Sequence, residues 1–135
     1  MWWPRGHWYG GHATLGSTVA APKWGVAGIE IDSTAGAGTF LLITSTTEAL
    51  GDVRLTLVTE DASPGPSLVV PVGPGRLTLQ LGLLFAGLIA DAAAGVIVES
   101  VGAVPAPLVV EASTYENAGG VIWAAGGSTL ATPIP

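Results

Sequence analysis

The chain has 135 residues, of which 49% are hydrophobic and 10% are charged, and it carries a formal net charge of −6 with no cysteine. Such a chain is long enough for one domain that buries roughly two thirds of its unfolded surface, and it is too apolar for an intrinsically disordered protein. The four scattered basic residues form no stripe that would bind a nucleic acid, and the lack of thiols excludes cysteine catalysis, disulfides and cysteine-ligated metals.

Short β-rich runs separated by Gly, Pro, Asp and Ser follow one another along the chain. The first 22 residues stand apart, because they hold three of the five tryptophans and both histidines. Strands are predicted over 24–31, 39–44, 53–59, 67–72, 76–81, 96–101, 108–113 and 121–125, and extended segments at the two ends bring the total to about nine. This pattern predicts an all-β fold, an antiparallel β-sandwich of the immunoglobulin-like or jelly-roll-like kind over 23–135, preceded by an N-terminal extension over 1–22. Helix is confined to 83–94 at most.

The apolar run 81–90, LGLLFAGLIA, is the best candidate for a membrane span. It ends at Asp91 after ten residues, whereas a helix needs about twenty to cross the hydrocarbon core. The run therefore predicts a buried turn or a short helix. The start, Met-Trp-Trp-Pro-Arg, lacks the order of a signal peptide, so an exported form would have lost its signal already or be cut from a longer precursor.

The two ends of the chain resemble each other. Gly10-Gly11 precedes Ser-Thr-Val-Ala-Ala-Pro at 17–22, and Gly119-Gly120 precedes Ser-Thr-Leu-Ala-Thr-Pro at 128–133. The spacing from the glycine pair to the serine is seven positions in one case and nine in the other. A difference of two keeps the same face of a strand inward. Similar extended segments at both ends predict subunits that join head to tail, each lending one end to the next.

Two groups of residues are candidate metal sites, and each has a simpler interpretation. His7 and His12 lie five positions apart, on opposite faces of a strand, so hydrogen bonding or aromatic stacking competes with metal binding. Glu60 and Asp61 precede Ala-Ser-Pro-Gly-Pro and indicate a solvated turn, with a calcium ion as the alternative. Glycines 36–38 precede a strand, which does not suit a phosphate-binding loop, and no G-x-S-x-G motif is present. We therefore expect no enzyme activity, no cofactor and no metal.

Four aromatic residues, Trp2, Trp3, Trp8 and Tyr9, lie close together near the N-terminus. Flat aromatic rings stack on sugars, so this group is a candidate glycan platform. Rings near a chain end are also efficient anchors, because they bury a large area at a low cost in entropy. We favour the anchoring role.

A covalent cross-link between side chains is a further alternative. Lys23 is the only lysine and Asn117 the only asparagine, and an isopeptide bond between them would use Glu30 or Glu111 as the assisting acid.

The string WPRGHWYGGHATLGST, the block from VIVES to PLVVEASTY and the end GGVIWAAGGSTLATPIP together resemble uncharacterised repeat modules of large bacterial cell-surface and secreted proteins. In those modules an aromatic segment with a glycine pair closes one unit and leads into the next. The resemblance implies an extracellular β-sandwich without catalytic residues. It also implies that 1–22 corresponds to the end of a preceding unit.

These features predict a structural subunit of an extracellular filament or surface array, which assembles with copies of itself by β-strand addition. The alternatives are an adhesive or glycan-binding module of a large surface protein, and a domain whose two similar ends pair within one molecule. The residues expected at the subunit interface are Trp2, Trp3, Trp8, Tyr9, Ser17, Thr18, Val19 and Ala20.

Overall fold

The computed structural model describes residues 13–47, 51–61, 63–88 and 93–135, and β-strands account for most of them. Apolar and polar residues alternate in several of these strands, as expected where one face of a sheet is buried. The elements in chain order are β1 (Lys23–Ala27), β2 (Gly38–Ser45), β3 (Gly51–Thr59), β4 (Pro64–Val72), β5 (Gly75–Gln80), α1 (Leu81–Leu84), β6 (Ala93–Val101), β7 (Leu108–Ala118), β8 (Val121–Leu130) and β9 (Thr132–Pro133).

The strands form two antiparallel sheets that pack face to face. The first sheet has the order β4-β3-β6-β1-β9, and the second has the order β5-β2-β7-β8. Inward side chains of both sheets form one apolar core. The predicted antiparallel β-sandwich is therefore confirmed, with nine strands in the part of the chain that the structure describes.

The core follows the predicted alternation of side chains. On β3, Val53, Leu55 and Leu57 are at most 1% exposed, while Asp52 and Arg54 between them lie on the surface. The two sheets contribute comparable sets of buried residues, and the core contains Trp24, Val26, Leu41, Ile43, Val96, Val98, Leu108, Val110 and Phe85.

Glycine-rich connections allow the sharp changes of direction between strands. Gly119 and Gly120 have φ values of 58° and 77° and form the two-residue connection of the β7–β8 hairpin, where Ala118 pairs with Val121. Two successive residues with positive φ are what a type I′ turn requires, which explains the glycine pair. The connection at Gly73-Pro74 between β4 and β5 carries the chain from the first sheet to the second.

Two predicted elements are shorter than expected. The strand predicted over 24–31 ends at Ala27, because Gly28 has a φ of 67° and turns the chain away from β6. Of the helix allowed over 83–94, the described residues show a single turn, α1, and Phe85 closes it with a backbone hydrogen bond to Leu81 of 2.9 Å. Gly87, with a φ of 76°, then redirects the chain.

The predicted strand at 17–22 is wrong for most of its length. Residues 17–20 lie outside the strands, and Ala21 alone forms an isolated bridge, to Leu108. The reason is competition for one strand edge: Ala131 already occupies the position opposite Val110 on this edge of β7, which leaves Leu108 as the position for the N-terminal chain.

Candidate subunit interface

Residues 13–20 form an exposed stretch of chain that we call the N-terminal segment. Leu15 and Val19 are 84% and 53% exposed, and Thr18 and Ala20 also lie on the surface. Within the described part of the chain, its hydrogen bonds are local: Ser17 Oγ donates to Val19 O over 2.7 Å and accepts from Val19 N over 3.1 Å. Two apolar side chains are therefore held in solvent on a segment with little internal structure.

The N-terminal segment joins the sandwich at Ala21, which is fixed to both sheets. Ala21 and Leu108 exchange backbone hydrogen bonds of 3.0 and 2.9 Å, and Ser100 N donates to Pro22 O over 2.8 Å. Trp24 is fully buried, and its indole N–H donates to Ala21 O and Leu108 O, both at 2.9 Å. The base of the segment is thus rigidly positioned, although the segment itself is not paired.

The C-terminal copy of the Ser-Thr motif lies on the same edge of β7. It forms the end of β8, and Ala131 N donates to Val110 O over 3.2 Å before the chain crosses to β9 in the first sheet. Ala21 lies opposite Leu108, two residues before Val110 on that edge of β7. The chain then enters β1, which is in the first sheet like β9. The two motifs share this crossing between sheets, but only the C-terminal motif forms a strand.

The C-terminal end of the chain lies beside β1. β9 runs antiparallel to β1 with Pro133 opposite Trp24, and Ile134 N donates to Lys23 O over 3.0 Å. This pairing joins β9 to β1, which begins after the N-terminal motif at 17–22, so the alternative in which the two similar ends pair with each other stays a prediction.

The outer face of the first sheet is divided into a polar half and an apolar half. In the polar half, Arg54 and Glu99 form an ion pair of 3.1 Å, and the hydroxyls of Thr56 and Ser67 lie 2.7 Å apart. Both charged side chains are partly exposed, so this pair contributes little to stability. Toward the C-terminal end of β1 the outward residues become small or apolar.

Between this apolar half and the end of β8 in the second sheet lies a shallow groove of about 550 Å³, which we call the β1 groove. Its lining includes Ala27, Val58, Ile97, Leu130 and Ile134, and none of its lining residues is charged. The side chain of Ile134 covers Gly25, where a Cβ atom would lie 2.9 Å from Ile134 Cδ1. Gly25 thus allows the C-terminal chain to close one side of the groove.

The other sheet edges are less suited to receiving a strand. β4 contains three prolines, Pro64, Pro66 and Pro71, which lack backbone donors, and β5 carries the charge of Arg76. β8 is irregular where its register with β7 shifts near Glu116. By contrast, β9 covers only two residues of β1.

An aromatic cluster on the second sheet is a feature that the sequence reasoning missed. The ring centroids of Phe40 and Tyr115 lie 5.7 Å apart, and those of Tyr115 and Trp123 lie 5.5 Å apart. Trp123 has a φ of 58°, and its backbone N–H donates to Asn117 Oδ1 over 2.8 Å. A glycine at 126 is required here, because a Cβ atom would lie 2.7 Å from the Tyr115 ring. The cluster therefore packs β8 against β7 and stabilises the hairpin.

Of the predicted ligand sites, the acidic pair Glu60 and Asp61 lies among the described residues, and the aromatic and histidine sites do not. Trp2, Trp3, Trp8, Tyr9, His7 and His12 lie outside the described residues. The acidic pair lies in the β3–β4 turn, where Asp61 accepts hydrogen bonds from the Thr59 hydroxyl and the Ser63 backbone N–H. These bonds lower the pKa of Asp61, and the bond from Thr59 has the largest effect. Across the described ranges, no three His, Cys, Asp or Glu side chains are grouped as a metal would require.

The geometry excludes the isopeptide bond within one molecule. Lys23 lies close to Leu108 at the start of β7, because Ala21 is paired with that residue. Asn117 lies nine residues further along β7, or about 30 Å at 3.3 Å per residue. Asn117 is instead bonded to Ala35 O and Trp123 N.

Neither a protein-family model nor a curated protein matches this sequence. The crystal structure of protein 1070 of Thermotoga maritima is similar, with a TM-score of 0.63 and 21% sequence identity, over 85% of this chain and 96% of that chain. At this identity the similarity concerns the fold alone. In the described part of the chain, no helix has the length and apolar character that crossing a membrane demands.

Proposed function

We propose that this protein is a structural subunit of an extracellular filament or surface array, and that copies assemble by β-strand addition. The observation that carries the proposal is the N-terminal segment, which leaves a rigid attachment point with Leu15 and Val19 exposed. An unpaired backbone with apolar side chains is the kind of chain that adds to a sheet edge of another molecule.

The spacing of the two apolar residues suits an added strand. Leu15 and Val19 are four positions apart, so they lie on the same face when the segment is extended, about 13 Å from each other. Main-chain hydrogen bonds would hold the segment, and these two side chains would set its register. Because the donor segment and the receiving edge are different surfaces, the contact can repeat without closing and produce a fibre.

The charge distribution supports contacts that resist salt. The N-terminal segment has no charged residue, and only 10% of the chain is charged. We therefore expect the assembly to persist in about 1 M NaCl, where charges more than about 3 Å apart are screened.

Paired substitutions test the proposal on the full chain. We expect the double variant Leu15→Asp and Val19→Asp to fold normally and to lose assembly, measured as mass by light scattering and as fibres by negative-stain microscopy. A matched control is Leu83→Asp with Val104→Asp, which changes two side chains that are 53% and 88% exposed and adds the same charge. Equal loss in both variants would show that charge alone acts, and would contradict a specific role for the segment.

The glycan-binding alternative rests on Trp2, Trp3, Trp8 and Tyr9, which lie outside the described residues, and the aromatic cluster on the second sheet adds no support to it. Phe40 and Tyr115 pack at an interplanar angle of 75°, edge against face, and Tyr115 and Trp123 are tilted by 38°. The rings pack on one another, whereas a sugar platform offers flat open faces. The cluster is better explained as packing of the hairpin.

A further inference from the structure

We infer that the β1 groove receives the N-terminal segment of a second copy of the chain. This inference rests on the proposed function and names the acceptor that strand addition needs. Three features of the groove carry it: an incomplete strand edge, an apolar lining without charge, and a barrier to the molecule's own segment.

The strand edge is incomplete because β9 begins at Thr132, opposite Gly25, whereas β1 continues to Ala27. β9 pairs with Trp24 and Gly25 only, and Ile134 N donates to Lys23 O. Alternate residues of a strand direct their backbone groups to the same side, so Ala27 shares the direction of Lys23 and Gly25. Its N–H and C=O groups therefore point past Thr132, the first residue of β9, into the groove beside Leu130, where an incoming segment can bond to them.

The lining of the groove matches the exposed residues of the segment. Val58, Ile97 and Leu130 present aliphatic side chains around Ala27, which is itself exposed. Leu15 and Val19 are also aliphatic and exposed. Neither the groove lining nor the N-terminal segment carries a charge. Association would remove both apolar surfaces from water, at about 25 cal/mol per Å² of apolar area.

The molecule's own segment is poorly placed to fill the groove. Ala21 is fixed to β7 of the second sheet, so the chain enters β1 from the opposite layer. Ile134 and β9 lie along the outer edge of β1, between this attachment point and Ala27. A second copy has no such obstacle, because its segment can approach the open end of the groove.

Cysteine cross-linking between two full-length variants tests the inference directly. The natural chain has no cysteine, so every disulfide formed comes from the two introduced residues. The Leu15→Cys chain is mixed with an isotopically labelled Ala27→Cys chain under mild oxidation, and mixed dimers are counted by mass spectrometry. The control replaces Ala27→Cys with Val69→Cys, which lies on β4 of the same sheet and is 55% exposed.

We expect about tenfold more mixed dimer with Ala27→Cys than with Val69→Cys, because a disulfide forms only where the Cα atoms approach within about 7 Å. Equal yields would overturn the groove as acceptor. A double variant, Leu15→Cys with Ala27→Cys, that gives only intrachain disulfides would overturn it as well. If equal yields occur while Leu15→Asp with Val19→Asp still abolishes assembly, strand addition stands and its acceptor lies elsewhere. If the natural chain does not assemble, both proposals fail.

Discussion

Replacing Trp24 with phenylalanine should destabilise the sandwich by about 3 kcal/mol. The missing part of the ring leaves a cavity of about 40 Å³, worth about 1 kcal/mol, and the lost apolar burial costs a similar amount. The lost indole hydrogen bond adds about 1 kcal/mol. That last cost stays modest, because Ala21 O and Leu108 O also accept backbone N–H groups and are not left unpaired.

Urea unfolding followed by circular dichroism, at a concentration below assembly, measures this loss. Phe85→Leu is the control, because it removes a fully buried ring that has no side-chain hydrogen bond. Amide hydrogen exchange separates the two variants. In Trp24→Phe, the backbone amides of Ala21 and Leu108 should exchange faster than the loss of global stability predicts, whereas in Phe85→Leu they should not. A loss below about 1 kcal/mol for Trp24→Phe, or unchanged protection of Ala21, would refute the role of the indole in fixing the attachment point.

The remaining predictions concern the strands and turns that support the interface. Gly82→Ala should cost about 3 kcal/mol or more, because the new Cβ atom would lie 1.8 Å from a backbone oxygen, whereas Gly51→Ala meets no atom within 4 Å and should change thermal stability little. Gly119→Ala should cost about 1–2 kcal/mol in urea unfolding because φ is 58° there, and Gly119→Asn should recover part of that loss. The lowered pKa of Asp61 means that its carboxylate stabilises the fold above the ordinary pKa of 3.8, and that this contribution is lost as the pH falls through the lowered value. Asp61→Asn should therefore be less stable than the natural chain near neutral pH, and a difference that stays constant into strong acid would contradict this.

The fold was predictable from the sequence because it depends on local patterns. The alternation of Val53, Leu55 and Leu57 gives the buried face of β3 directly, and all three are buried. The Gly119-Gly120 pair supplies the positive φ values of a tight hairpin turn. Each of these signals spans a few residues and needs no knowledge of the neighbouring strands.

The candidate interface was only partly predictable, because it depends on contacts between distant parts of the chain. The Ser-Thr motif at 17–22 has the composition of a strand, yet Ala131 already holds the neighbouring position on β7. The β1 groove exists because the chain stays on β7 up to Ala131 and joins the first sheet only at Thr132, and the strand prediction cannot supply that crossing point. Leu15 and Val19 are exposed on the unpaired segment, and its role as an interface stays a prediction.

Sedimentation velocity over a wide range of concentration, on the natural chain and on a chain of residues 21–135, tests the central proposal most directly. The shortened chain keeps all nine strands that the structure describes and the Ala21–Leu108 bridge, so circular dichroism should show it folded. We expect the natural chain to form large species and the shortened chain to remain a monomer. A natural chain that stays monomeric throughout, or a shortened chain that assembles equally well, would contradict assembly through the N-terminal segment.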